Sequence, residues 1–351
     1  MTFEERKIPL LPAMGSEEER ESARKALYAK MRDRLYGEMP PAPDKVEGKL
    51  LSLNEDGFAG KATVAEYELS FDAPLGRASF PMTYIAPKDG KKHPFFVNIC
   101  FEKAVPNRYL PAEEIIDRGY GLATFFYQAV SEDGPEFDGI APLFGTDRSR
   151  PLAWGKIGIW AYAASRVLDF ILTLPEVDPD RVGVIGHSRL GKTALWAGAN
   201  DPRFILAISN ESGCGGAAIN RGKVGETLSG MTDVFPYWFS PAMQALRGVD
   251  PAELDFDAHE LLALMAPRYL LVGSAEKDQW ADPASELSAC RAASPAWDAY
   301  GVAGFLSDDE SPRVGVKRHE GRVGYHERAG AHFMSRTDWN VYMDFRDLHK
   351  I

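Results

Sequence analysis

The stretch Arg181-Val-Gly-Val-Ile-Gly-His-Ser-Arg-Leu-Gly-Lys-Thr-Ala-Leu-Trp196 reads as a short apolar strand, a sharp glycine-bounded turn and a helix. Two kinds of chemistry use that geometry. In a nucleophile elbow, Ser188 is thrust out of the turn with its hydroxyl exposed above a parallel sheet, and the flanking glycines let strand and helix pass close together. The match to G-x-S-x-G is imperfect, because Leu190 stands where the pattern wants its second glycine and Gly191 follows one residue later. In the competing reading, Gly186, Gly191, Lys192 and Thr193 satisfy G-x-x-x-x-G-K-[ST], the phosphate-cradling loop of nucleotide hydrolases.

Three observations favour the serine. A phosphate loop wraps its anion in small residues and backbone N–H groups, whereas this turn carries His187, Arg189 and Leu190. Such a loop follows the first strand of its domain, and here about half the chain, already strand and helix in pattern, comes before it. A serine nucleophile also demands a histidine far downstream, and one is present. Arg189 and Lys192 both fall in the first turn of the following helix, where the positive end of the macrodipole disfavours a cation by about 0.3 to 1 kcal/mol. Either something other than helix stability keeps them there, or both point to solvent.

With 351 residues, 45% of them hydrophobic, the chain is long enough for one large core or two smaller ones. A formal net charge of −11 argues against nucleic acid or an acidic membrane as partner. The three cysteines, Cys100, Cys214 and Cys290, are far apart and odd in number, which predicts buried thiols rather than disulfides or a zinc site. No apolar run approaches the ~18 residues of a membrane span, and the polar start Met1-Thr-Phe-Glu-Glu-Arg-Lys7 shows no signal peptide. The expected location is cytoplasmic, with a secreted protein that has lost its signal as the alternative, and the expected assembly is a monomer.

Residues 1–45 read as a proline-containing arm with one exposed helix, Ser16 to Tyr36, that turns Leu27, Met31 and Leu35 inward as a lid or brace. Residues 46–351 read as a single catalytic domain. Thr63 to Tyr84 alternates like antiparallel strands, while Pro94–Phe101 and Leu122–Tyr127 are continuous apolar runs that suit parallel strands covered on both faces. Ala112–Gly119 reads as a short helix, Ser131–Pro151 as a long loop and Trp154–Leu174 as an amphipathic helix. Further strands at Phe204–Ser209 and Tyr269–Gly273, and a last helix Ser335–Leu348, complete an α/β pattern. Phe235-Pro-Tyr-Trp-Phe239 reads as core, although aromatic residues beside a loop also suit sugar rings.

A serine hydroxyl becomes a nucleophile when a histidine takes its proton and a carboxylate holds the resulting imidazolium. In α/β-hydrolases the order is serine, acid, histidine. Ser188, then Glu211 or Asp278, then His332 fits that order. Of seven histidines, His332 is best placed, in a loop just before the last helix; His326 is the fallback, and His187 would point elsewhere. Glu211 ends the first strand after the elbow helix and Asp278 follows the next, so either could be the acid. A zinc site of His319, His326 and His332 fails on spacing, and no metal or other cofactor is expected.

Gly186-His-Ser-Arg-Leu-Gly-Lys192, Glu211-Ser-Gly-Cys-Gly-Gly216, Phe235-Pro-Tyr-Trp-Phe239, Trp280-Ala-Asp-Pro283 and Gly330-Ala-His332 together resemble the glucuronoyl esterases of carbohydrate esterase family 15, particularly the bacterial branch. The resemblance runs from about residue 60 to the C-terminus. It implies an α/β-hydrolase three-layer sandwich with a mostly parallel central sheet, whose elbow has the serine-arginine-x-glycine-lysine form. It further implies Ser188 as nucleophile, His332 as base, Glu211 and Asp278 as alternative acids, and Arg189 in the oxyanion hole. Lys192, Trp280 and, by its spacing from Ser188, Glu226 match residues that contact the sugar. The substrate so implied is a glucuronoxylan-derived ester joining 4-O-methylglucuronate to a lignin-type alcohol, with an acetyl xylan ester as the nearby alternative. One departure stands out: Glu102-Lys-Ala follows the strand ending at Phe101, where a glycine-rich oxyanion loop would be looked for.

Overall fold

The computed structural model describes residues 1–145 and 147–351. Its strands are β1 (Val46–Asp56), β2 (Ala62–Ala73), β3 (Gly76–Pro87), β4 (His93–Cys100), β5 (Gly121–Phe126), β6 (Val177–His187), β7 (Leu206–Asn210), β8 (Tyr269–Ala275), β9 (Lys317–Arg318) and β10 (Val323–Arg328). They form one sheet in the order β1-β2-β3-β5-β4-β6-β7-β8-β10-β9. The consecutive neighbours from β5 to β10 pair in parallel, while the strands on the β1 side and β9 pair antiparallel. The expected mostly parallel α/β sheet is therefore present.

Alternation along the central strands divides the apolar residues between two faces. Phe95, Val97, Val182, Val184, Ala207, Leu270 and Val272 join one core; their neighbours Phe96, Ile185, Leu206, Ile208 and Leu271 join a second. Helices α1 (Glu17–Met31), α3 (Lys156–Ile171), α4 (Arg189–Asn200) and α5 (Pro283–Ala293) contribute to the first core. Helices α2 (Ala112–Asp117) and α6 (Arg336–His349) contribute to the second. Continuous apolar strands are the sequence signature of a sheet covered in this way, and the result is the three-layer sandwich.

Two expectations change. No strand was anticipated at Val46–Asp56, because Leu50, Leu51 and Leu53 are about half exposed and the segment shows no inward alternation. Residues 156–171 were read as amphipathic, yet every residue of α3 except Asp169 is buried. Chain remote in sequence covers its outer side: Tyr162 Oη donates to Pro41 O at 3.0 Å, and Gly48 lies so close to Phe170 that a Cβ there would sit 2.2 Å from the ring. The N-terminal arm packs against the same side of the sheet. Ser16 caps α1 in a reciprocal box with Glu19, Leu27, Met31 and Leu35 enter the first core, and Tyr36 stacks on Trp196 of α4 with ring centroids 4.4 Å apart. Cys100, Cys214 and Cys290 are buried free thiols. No helix among the described residues is long and apolar enough to cross a membrane.

Candidate active site

Four strands end at the same edge of the sheet, and each hands one candidate group to it. β6 is followed by Ser188, β7 by Glu211, β8 by the turn carrying Asp278, and β10 by the loop carrying His332. The carboxyl ends of parallel strands are where α/β folds place their sites.

The elbow is strained as its chemistry requires. Ser188 has φ 57° and ψ −129°, outside the ordinary regions for a side-chain-bearing residue, and its N–H donates to Asn210 O at 2.8 Å. The misplaced glycine has a local cause. A Cβ on residue 191 would meet Ser212 Cβ at 3.0 Å and Asn210 O at 3.1 Å, so the close approach to the β7 end falls there. Leu190 is free to be large because it points into the core.

His332 Nδ1 lies 2.6 Å from Asp278 Oδ2 and 3.3 Å from Glu211 Oε2. The two acids are not equivalent. Glu211 also accepts from Arg328 Nη2 at 2.7 Å and from Phe333 N–H at 3.0 Å, so it ties the histidine loop to the sheet. Asp278 accepts otherwise only from Ala281 N–H, at 3.2 Å, among the described residues. Burial works against protonation of His332, but hydrogen bonds to Asp278 and Glu211 and their charges outweigh it and lift the imidazole to about 9. Burial raises Glu211 to about 7 against the pull of His332 and Arg328. Burial also opposes ionisation of Asp278, yet its bond to His332 prevails and holds it below the ordinary carboxylate range. Geometry and charge therefore agree that Asp278 is the ionised partner of the ring.

No hydrogen bond joins Ser188 Oγ to His332 among the described residues. Unliganded sites commonly hold this contact long. His187 does not point elsewhere as expected. Its ring lies beneath His332, centroids 4.5 Å apart, with Nδ1 2.5 Å from Asn210 Oδ1, and burial with the neighbouring His332 depresses it to about 3. A ring that burial keeps from charging thus packs against His332. His326 is buried against Asp338 at 3.0 Å and does not serve as the alternative base.

The two cations of the first helical turn do not simply face water. Lys192 is buried and pairs with Glu226 Oε2 at 2.9 Å, 5.6 Å from the centre of the Trp238 ring. Arg189 pairs with Asp133 and stacks 4.7 Å above Trp238, while its Nε carries no hydrogen bond. Its backbone N–H has no acceptor among the described residues either, as in an oxyanion donor one position after the nucleophile. Trp280 is 60% exposed, and its carbonyl accepts the N–H of Glu226 at 3.0 Å, so the three candidate sugar contacts adjoin one another. Glu102 is turned to Arg108 at 2.6 Å. Of the Phe235–Phe239 patch, Trp238 and Phe239 are both buried in the first core, and Trp238 also lies against Arg189 and Lys192.

These contacts remove the phosphate-loop reading. The N–H groups of Gly191 and Lys192 already donate to Ser188 O, at 2.8 and 3.2 Å, and the lysine is held by Glu226. Ligand-type atoms of Glu211, Asp278 and His332 lie within 4.8 Å of one another, a donor set that suits a cation by composition.

Three participants escaped the sequence reading. Asp133, in the long loop, accepts from Arg189, from Trp238 Nε1 at 2.7 Å and from Tyr127 Oη at 3.1 Å. Arg328 folds residues 329–333 around its guanidinium, donating to Ala329 O at 3.0 Å, Ala331 O at 2.9 Å and Phe333 O, and pairing with Asp338 at 2.6 Å. Asn210 supports both Ser188 and His187. Arg328 ends β10, whose six residues, Arg328 included, are all buried.

A family model described as "Glucuronyl esterase, fungi" matches residues 77–301. The chain belongs to the glucuronyl esterase family. Among curated members of this family it is 40% identical over 244 residues to "Carbohydrate esterase MZ0003" from an unknown prokaryotic organism, covering 68% of this chain and 55% of that protein. It is 36% identical over 187 residues to a 4-O-methyl-glucuronoyl methylesterase of Hypocrea jecorina, covering 50% of this chain and 38% of that protein. The chain thus spans about half or less of these two relatives. Among solved glucuronyl esterase structures, "Glucuronoyl Esterase from Solibacter usitatus" superposes with a TM-score of 0.84 at 32% identity, covering 98% of this chain and 99% of that one. The glucuronoyl esterase of Teredinibacter turnerae T7901, assigned to carbohydrate esterase family 15, gives 0.88 at 27% identity, covering 100% and 90%.

Proposed function

We propose that the protein is a serine esterase that cleaves (4-O-methyl)glucuronoyl esters, as they join xylan glucuronate to lignin-type alcohols, through an acyl-enzyme on Ser188. The observation that carries this reading is the elbow serine at positive φ on the sheet edge that also carries the His332 loop, with His332 Nδ1 2.6 Å from a buried aspartate. Neutral His332 takes the Ser188 proton as Oγ attacks the ester carbonyl carbon, and the carbonyl electrons move to an oxyanion facing Arg189. Collapse breaks the bond to the alcohol, which leaves with the proton from His332. Water, deprotonated by the same ring, then attacks the acyl carbon, and Ser188 departs with the proton as the free carboxylate is released.

The substrate class is supported by the Lys192–Glu226 pair and the exposed Trp280 next to it, which offer a cation, a carboxylate and an aromatic surface to sugar hydroxyls and ring. Relatives whose names state this activity add support. The uncharged ester is not repelled by a chain of net charge −11, whereas the anionic product is. Hydrolysis of benzyl glucuronate tests the proposal: wild type should turn it over, and Ser188→Ala should lose about 10³-fold or more in kcat. Equal rates in the two proteins would refute it. Faster turnover of acetylated xylan than of the glucuronate ester would move the substrate to the acetyl class.

A further inference from the structure

One buried acid at the sheet edge belongs to neither the base nor the sugar contacts. Glu286, in the first turn of α5, is completely enclosed. Its Oε1 accepts the N–H of Gly213 at 2.9 Å and its Oε2 the hydroxyl of Ser274 at 2.6 Å. Gly213 lies two residues beyond Glu211, and Ser274 lies in β8, four residues before Asp278. One carboxyl therefore bridges the turn after β7 and the end of β8, the two segments that lead to the carboxylates facing His332.

The grip sits where small shifts matter. The turn after β7 is strained, with positive φ at Glu211 (49°), Gly213 (60°) and Gly215 (65°). Gly213 is wedged between two other parts of the site: a Cβ there would lie 3.1 Å from Ala281 Cα, in the Asp278 turn, and 3.1 Å from Glu226 Oε2. A turn of this kind does not hold its shape alone, and the buried N–H of Gly213 needs an acceptor that the turn itself does not supply.

We propose that Glu286 is a positioning residue that sets Asp278 and Glu211 in register with His332 by clamping Gly213 and Ser274. The inference rests on the esterase reading above for its substrate but not for its chemistry, since it concerns activation of Ser188 toward any electrophile. Glutamine in its place keeps an acceptor for Gly213 N–H and gains a donor for Ser274 Oγ. Leucine fills a similar volume and leaves both groups unpartnered.

The test compares wild type, Glu286→Gln, Glu286→Leu and Ser274→Ala in two assays: kcat and KM on benzyl glucuronate, and the rate of covalent labelling of Ser188 by a fluorophosphonate. Glu286→Gln should stay within about threefold of wild type in both. Glu286→Leu should lose about tenfold or more in kcat and in labelling rate, with KM changed less than about threefold, as expected for misplacement of catalytic groups. Ser274→Ala should fall between them, and it carries the test if Glu286→Leu does not fold. Wild-type kcat and labelling in folded Glu286→Leu or folded Ser274→Ala would overturn the proposal, as would Glu286→Gln as damaged as the leucine variant. Wild type that is labelled but leaves the ester intact would sink the substrate reading alone.

Discussion

The arrangement around His332 assigns unequal work to two acids that the sequence left level. Asp278 is nearer the ring and ionised, while Glu211 spends its other contacts on Arg328 and Phe333. Asp278→Ala should lower kcat by about 10²- to 10⁴-fold, measured on benzyl glucuronate. Glu211→Ala should cost less activity but more stability, lowering the melting temperature because it takes one acceptor from Arg328 and leaves the Phe333 N–H without one. The reverse ranking in kcat would make Glu211 the working acid. The pH profile follows from the same contacts. The base must be neutral, and its pKa is lifted from the ordinary imidazole value to about 9. Activity should therefore rise as pH increases through an apparent pKa above 6.5, and Asp278→Asn, which removes the charge favouring the imidazolium, should move that limb to lower pH. Ser188, Glu211, Asp278 and His332 were all legible from order and motif, because an elbow and a loop histidine are local patterns. The choice between the acids was not, since it depends on a guanidinium that arrives from β10.

At the scale of elements, the long loop Ser131–Pro151 shows why a structureless stretch in sequence can hold a defined place. Lys156 opens α3 fully buried and donates to Ser131 Oγ at 2.6 Å, Glu136 O at 2.5 Å and Asp138 Oδ1 at 3.1 Å. The loop so fastened presents Asp133 to Arg189. Lys156→Met should lower stability by about 1–3 kcal/mol, read by denaturant unfolding, and should reduce kcat more than it changes KM because Arg189 loses its anchor. A stable variant with wild-type kcat would show that the loop needs no such fastening. The N-terminal arm makes a contrasting case. Leu27→Ala, on α1 and far along the chain from the site residues, should cost about 2–5 kcal/mol while the folded fraction keeps its kcat. Helical spacing foretold the inward residues of α1, whereas β1 and the enclosure of α3 were hidden because both arise from chain remote in sequence packing over a surface. Apolar periodicity reports which way a residue faces; it does not report what will cover the other side.

Over the whole molecule, continuous apolar strands made the sheet and its two cores readable. The parallel direction of β4 to β8 and β10 places their carboxyl ends, and hence the site, on one edge. If, as proposed, a chain with a formal charge of −11 acts on an uncharged ester, a further expectation follows. Between low and high salt, kcat/KM should change little, while inhibition by the glucuronate product should strengthen as salt screens the protein's field; a steep salt dependence of kcat/KM would point to a charged substrate instead. The account turns on an ester bond between the sugar acid and Ser188, and that bond can be looked for directly. In rapid-quench mixing of enzyme with excess benzyl glucuronate followed by peptide mass analysis, a glucuronoyl adduct should appear on the peptide containing Ser188 within the first turnover and be absent from Ser188→Ala. Steady hydrolysis with no adduct at any quench time, or an adduct on another residue, would contradict it.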